Sequence, residues 1–302
     1  MARKKAAGAV APPGAHETIE VVRREGVALI GLNRPAVHNA FNETLIAELT
    51  AAVREAGEDA SVRAVLLHGA GASFCAGADL DWMRRMAGYG RDENLADANA
   101  LAAMLSTIAQ CPKPTVARVH GPAYGGGVGL IACCDVAIGA NDAAFALSEA
   151  KLGLVPATIG PYVVAAIGAR HARRYFLTAE RFDAAEAYRI GLLNDIVHPL
   201  ELDSRVNELL GALLVAGPNA QREAKALVRA IAGRPIDAEV IADTAERIAT
   251  VRASDEAREG VAAFLEKRAP QFPDRVSADM PACYPWWDEP AFADPDPWRP
   301  TP

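Results

Sequence analysis

What this chain lacks narrows it first. No stretch of apolar residues in its 302 positions is long enough for a membrane-spanning helix, so none is expected. Positive charge is in deficit: 31 Lys and Arg against 38 Asp and Glu leave a net charge of −7. That argues against a general nucleic-acid binder, which usually carries a basic stripe, though not against a local cationic pocket for phosphates. Cysteine is sparse and irregular. Cys75, Cys111, Cys133, Cys134 and Cys283 make an odd set without C-x-x-C spacing, and no H-x-x-x-H occurs. No metal site is expected, and a reducing, cytoplasmic setting is. Residues 1–15 carry Arg3, Lys4 and Lys5 but no long apolar core. They exclude a secretory signal and read as a disordered tail over 1–16. Gly69-Ala70-Gly71-Ala72-Ser73-Phe74 starts like a dinucleotide fingerprint, but Phe74 stands where its last glycine belongs.

What is present is ordinary globular material, 51% hydrophobic and 23% charged, enough for one large domain. Thr18 to Val22 and Val27 to Leu32 read as strands joined at Glu25-Gly26. Residues 43–57 and 94–110 have helical periodicity, with strand-like runs at 62–68, 115–119 and 135–138. A short buried helix is expected over 126–133. After residue 158 the chain reads as nearly all helix, over 158–190, 199–216, 218–232, 236–252 and 255–267. The pattern predicts an α/β fold with a helical C-terminal layer: a core over 17–198 and helices over 199–272. Residues 273–302 hold eight of the twenty prolines and three of the four tryptophans, so a regular helix is excluded. Three tryptophans are a large apolar load, and docking on this subunit or a neighbour is expected.

Two glycine-bearing loops stand out. Phe74-Cys75-Ala76-Gly77-Ala78-Asp79-Leu80 is the first, and His120-Gly121-Pro122-Ala123-Tyr124-Gly125-Gly126-Gly127-Val128-Gly129-Leu130 is the second. Each follows a strand and opens a helix, where bare N–H groups and the helix dipole favour negative charge. Two such loops can aim two donors at one oxygen. Glu149, in Leu147-Ser148-Glu149, follows as a carboxylate able to move a proton. Asp79 and Asp135 sit at element boundaries and read as structural caps.

With these loops, Glu149 and the C-terminal helices, the chain resembles the crotonase family, the enoyl-CoA hydratase/isomerase superfamily. The resemblance runs from about Ile19 to Phe272. It is carried by Asn33-Arg34-Pro35 with Asn39-Ala40-Phe41, by both loops, by Pro114 through Asp135, and by Phe264-Leu265-Glu266-Lys267-Arg268. A finer resemblance, to the bacterial methylglutaconyl-CoA hydratase branch, rests on Ala132-Cys133-Cys134-Asp135, Leu147-Ser148-Glu149, Tyr162-Val163-Val164 and Ala172 through Asp183.

The resemblance implies a ββα spiral core, a trimer or dimer of trimers through the C-terminal layer, and acyl thioesters of coenzyme A as substrates. Coenzyme A would enter as part of the substrate, with no other cofactor, nucleic acid or membrane partner. By analogy the N–H groups of Ala78 and Gly126 hold the thioester oxygen. Losing one such donor costs about 3–4 kcal/mol of transition-state stabilisation. A side chain at Gly126 is expected to crowd the acyl group. Glu149 matches the family's general acid/base. Arg34 and Lys267 are candidates for the coenzyme's phosphates, the lysine often from a neighbouring subunit. His38, Ala76, Gly77, Asp79, Leu80 and Gly125 line the same groove, and Trp82 and Met83 wall the acyl pocket or pack the core.

One departure matters. The well-known hydratases carry a second glutamate two residues after the triple glycine, and this chain has Gly129 there. Glu149 stands alone, with Tyr124, Asp97, Asn94 and Tyr162 as candidates to place water. Gly129 is expected to make room for a branched or carboxylated acyl chain. Hydration of a 2-enoyl-CoA is the leading expectation. A Δ3,Δ2-enoyl-CoA isomerase and a non-catalytic CoA- or RNA-binding protein remain open.

Overall fold

Three hydrophobic runs form the centre of the molecule. In the computed structural model, which describes residues 16–272, β2 (Val27–Leu32), β3 (Ala64–Gly69) and β4 (Thr115–Val119) are buried at every position. Such strands suit a parallel sheet covered on both faces. They lie side by side in a six-stranded sheet ordered β1-β2-β3-β4-β6-β9, with β1 (Ile19–Arg24), β6 (Val136–Ala140) and β9 (Asp195–Val197) outside them. Only β1 runs antiparallel, through the hairpin at Glu25-Gly26, where both residues have positive φ. The N-terminal tail expected over 1–16 (His16 apart), the 273–302 tail and Cys283 lie outside the described residues.

Alternate strand residues face opposite sides. Ala28, Ile30, Val65, Leu67 and Ala117 join Leu45 and Leu49 of α1 (Glu43–Glu58) and Met104, Leu105 and Ile108 of α3 (Arg91–Gln110) in one core. Val27, Leu29, Ala64, Leu66 and Val116 form a second core on the other face. There α7 (Leu202–Val215) lays down Leu202, Val206, Leu210 and Leu214, a stripe at four-residue spacing. Each such side chain contributes about 1.5–3 kcal/mol when fully buried. The helical layer expected over 199–272 is therefore divided: α7 is a wall of the core.

The helix expected over 158–190 is also divided. It ends as α5 (Gly160–Thr178), with a non-helical break at Gly168, and Ala179 adopts a left-handed conformation. Then come β8 (Arg181–Asp183) and α6 (Ala184–Arg189), which Asp183 caps by accepting from Glu186 N–H. β8 pairs with β7 (Ala144–Ala146), and β7 with β5 (Ala123–Tyr124), in a small second sheet. Phe182 stacks on Phe145 and meets the Tyr175 ring, which fixes β8 to the core.

The outer helices are α8 (Pro218–Ile231), α9 (Ala238–Arg252) and α10 (Asp255–Leu265). Lys225 Nζ ties α8 to the core, 2.6 Å from Asp135 and 3.2 Å from the Lys113 carbonyl oxygen. The Asp135 carboxylate also accepts from the N–H and hydroxyl of Thr115, so this expected cap is a strand-to-helix clamp. Glu256 of α10 accepts the N–H groups of Asn219 and Ala220 at the start of α8. Val228, Ile241, Val261, Phe264 and Leu265 remain exposed on this layer. Among the described residues no helix is long and apolar enough to cross a membrane.

Candidate active site

The segment Asn33 to Phe41 organises the first loop. Asn39 has a positive φ and a fully buried side chain. Its amide nitrogen donates to the carbonyls of Ala70 and Ser73, both at 2.8 Å, and its oxygen accepts from Arg34 N–H at 2.9 Å. An amide with these partners fixes the turn between β3 and α2 (Leu80–Met86) in one position. Phe41 then pairs with the first loop: its N–H donates to Gly77 O and its carbonyl accepts from Asp79 N–H. In a parallel pairing, alternate residues direct their backbone groups to opposite sides, so Ala78 N–H points away from Phe41.

The second loop is zipped to the first. Tyr124 N–H donates to Cys75 O, and Phe74 N–H to Pro122 O. Gly125, with φ 49°, turns the chain into α4 (Gly126–Cys133) and donates to Ala146 O at 2.8 Å. Gly126 N–H is the first of the helix, where no intrahelical acceptor exists. It lies 3.6 Å from the place a Cβ on Gly77 would take, so the two loops leave no room for a side chain between them. A Cβ on Gly127 would run into the Cys75 carbonyl. A Cβ on Gly126 would run into the Phe41 ring. This corrects the expectation for Gly126: bulk there meets the protein's own Phe41 before any ligand.

Glu149 begins a short 3₁₀ turn, Glu149–Leu152, three residues beyond the Ala146 that holds Gly125. Its Oε1 is 3.1 Å from the position of a Cβ on Gly125, and its Oε2 is buried with no hydrogen-bond partner. Burial raises its pKa above the ordinary glutamate value, and only its own backbone N–H opposes this. A half-buried carboxylate with one unpartnered oxygen, beside the Gly125 turn that opens α4, can hold and release a proton.

The other expected residues fall into two groups. Arg34 lies inward: its guanidinium is 2.9 Å from Asp79 and also donates to Ala40 O. Asp79 caps α2 by accepting from the N–H groups of Asp81 and Trp82. Burial works against its ionisation, but these donors and Arg34 hold its pKa below the usual carboxylate value. Together the two side chains lock the first loop. His38 bonds Ser73 Oγ through Nδ1 at 2.9 Å, and its carbonyl accepts Ala76 N–H. Trp82 is 2% exposed, and its indole N–H donates to Asp97, which settles it into the core. Leu80 is exposed beside the first loop. Lys267 is exposed after α10, in a left-handed conformation.

Of the residues expected to place water, Asp97 is taken by the Trp82 indole and the others are engaged elsewhere. Arg181 lies 5.3 Å over the Tyr124 ring, Asn94 donates to Tyr89 O and Gly90 O, and Tyr162 packs against the apolar core. Gly129 is a second correction. A Cβ there would collide with Ile159 Cγ2, so the glycine opens no space for an acyl branch. Phe41 and Ile159 went unread as site residues. Gly129 itself is the signal for Ile159: a glycine inside a buried apolar helix needs a neighbour that fills its place.

Residues 22–275 match the family described as enoyl-CoA hydratase/isomerase. A crotonyl-CoA hydratase of Syntrophomonas wolfei is 33% identical, over 85% of this chain and 98% of its own. An enoyl-CoA hydratase of Alternaria alternata is 34% identical, over 81% of this chain and 80% of its own. The crystal structure of an enoyl-CoA hydratase from Shewanella pealeana superposes with a TM-score of 0.83 at 43% identity, covering 85% of this chain and 96% of that one. The fold and the paired loops define an α/β protein of crotonase type. The chain belongs to the enoyl-CoA hydratase/isomerase family.

Proposed function

We propose that the protein is an enoyl-CoA hydratase with a single acid/base. The N–H groups of Ala78 and Gly126 polarise the thioester oxygen of a 2-enoyl-CoA. Ionised Glu149 takes a proton from water as its oxygen bonds to Cβ, and the electron pair of the double bond moves to the thioester oxygen. The enolate collapses, and Glu149 returns the proton to Cα. The product is a 3-hydroxyacyl-CoA, and the carboxylate is restored. The observation that carries this reading is the buried, unpartnered Glu149 oxygen beside the Gly125-Gly126 turn, in a chain whose relatives are named hydratases.

Coenzyme A is part of the substrate, and no further cofactor is invoked. It runs along Ala76, Gly77 and Leu80, with His38 nearby and Lys267 supplied from a second subunit for a phosphate. Arg34 and Asp79 hold the loop. The exposed apolar residues of α8 to α10 support a trimer or a dimer of trimers. The acyl group is branched and methylglutaconyl-like, on the strength of the Cys133-Cys134-Asp135 and Ala172-to-Asp183 segments.

The test is the loss of conjugated-thioester absorbance with crotonyl-CoA and with 3-methylglutaconyl-CoA, the products weighed by mass spectrometry. Gain of one water establishes hydration, and the ratio of the two rates identifies the acyl group. No hydration, with a 3-enoyl-CoA converted to its conjugated isomer, replaces this reading by the isomerase. The lone Glu149 favours that second reading. Binding without turnover of any of the three makes the protein a carrier.

A further inference from the structure

Phe41 touches both loops. Its backbone engages the first: Phe41 N–H donates to Gly77 O at 2.6 Å, and its carbonyl accepts Asp79 N–H at 2.9 Å. The Gly77 carbonyl shares a peptide plane with Ala78 N–H, and in a trans peptide the two point opposite ways. The bond from Phe41 therefore aims that N–H. The ring engages the second loop. The Cβ that Gly126 lacks would run into ring Cε2, with Cδ2 at 2.9 Å, so the ring lies against the Gly126 Cα. Phe41 is 1% exposed. Just before it, the Asn39 amide is anchored on Ala70 and Ser73, and just after it Asn42 caps α1 by accepting Leu45 N–H at 2.9 Å. The backbone that carries the ring is thus fixed on both sides.

The loops also meet at Gly77. The place of a Cβ on Gly77 is 2.9 Å from Tyr124 O and 3.6 Å from Gly126 N. A missing side chain there lets the loops close, and a rigid ring at Gly126 limits how far. We infer that Phe41 is a positioning residue for the two donors: its backbone aims Ala78 N–H, and its ring sets where Gly126 N–H stands relative to it. The inference rests on those two N–H groups holding the thioester oxygen. The spacing matters because hydrogen bonds weaken steeply as geometry worsens, and a misplacement of about 1 Å costs on the order of a hundredfold in rate.

The experiment compares Phe41→Leu, Phe41→Leu with Gly126→Ala, and Leu210→Ala in the full chain. Leu210 is buried in the second core, on the other face of the sheet, and controls for lost packing alone. The readouts are kcat and KM for hydration and, independently of turnover, the carbonyl stretch of bound butyryl-CoA by isotope-edited difference infrared spectroscopy. Butyryl-CoA is a saturated thioester with nothing to hydrate. Wild type is expected to lower its stretch from the free value. Phe41→Leu should lose about half of that lowering or more, with kcat down about tenfold and KM within about threefold. Adding Gly126→Ala, whose methyl refills space the ring has left, should restore part of both. Leu210→Ala should lower the melting temperature and leave both unmoved. An unmoved stretch in Phe41→Leu, or the same change in Leu210→Ala, overturns the inference and leaves Phe41 a packing residue. A change in KM alone overturns it in favour of an acyl-pocket wall. Should Phe41→Leu not fold, Phe41→Met, of similar volume without the rigid ring, is read in the same way. If wild type leaves the stretch at its free value, the reading of Ala78 and Gly126 as donors fails and the inference falls with it. If the stretch is lowered but nothing is hydrated, only the hydratase reading fails, and the stretch still decides the role of Phe41.

Discussion

The start of α4 and the outer helices α8 to α10 use side chains in opposite ways. At α4, the absence of a side chain lets parts meet: Gly126 lies against Phe41, Gly127 against the Cys75 carbonyl, Gly129 against Ile159. On α8 to α10, large side chains are present and bare: Phe264 is 82% exposed and Leu265 74%. The first region is complete within one chain, and its geometry leaves no slack. The second leaves large apolar side chains in solvent on successive helices.

The sharpest break in that comparison is Glu149→Gln. Hydration is expected to fall about a thousandfold, as for loss of a general acid/base, in a protein that folds normally. The same change is expected to raise the melting temperature, because it removes a buried carboxylate oxygen with no partner. Calorimetry beside the absorbance assay checks both. Next come the close approaches. Gly127→Ala is expected to destabilise by about 2–3 kcal/mol, since a backbone carbonyl cannot yield. Gly126→Ala should cost similarly, and adding Phe41→Leu to it should recover part of the loss. Urea midpoints at constant m report each.

The pH dependence is a milder test. Burial of Glu149 means the base gives up its proton at a higher pH than an exposed glutamate does. The acid limb of kcat/KM should therefore lie higher than for an exposed glutamate. The sign for stability follows from the same shift. The folded state holds this proton more tightly than the unfolded chain, so the contribution is fully present below the unfolded pKa and is lost as pH rises through the folded one. The stability gain of Glu149→Gln should then be larger at pH 8 than at pH 4. The smallest effect on the core is expected outside it. Phe264→Ser with Leu265→Ser should leave the far-ultraviolet dichroism intact and lower the sedimenting mass. An unchanged mass would place the subunit contact elsewhere.

Much of this was legible before the structure. Buried runs such as Leu29-Ile30 and Leu66-Leu67 announce central strands by composition alone, and both glycine loops announce themselves by spacing. Three features were not. β8 and β9 are each three residues long, too short for any periodicity, and exist because Phe182 and Ile196 find partners far away in sequence. The division of the C-terminal helices was hidden because α7 and α8 are both amphipathic. What faces α7 is decided by Leu29, Leu66 and Val116, some ninety residues or more upstream. The pairing of Gly129 with Ile159 is the third. It joins residues thirty positions apart across two helices, and no local pattern carries it.

The placing of α7 has a consequence for the order in which the protein is made. The strands β1 to β4 are complete once residue 119 has been synthesised, and the helices on one of their faces precede residue 111. The other face waits for Leu202 to Leu214. A nascent chain with about a hundred residues still to come thus carries Val27, Leu29, Leu66 and Val116 uncovered. During that interval the chain is most in need of a chaperone and most exposed to aggregation, and a ribosome pause just before codon 202 would lengthen it.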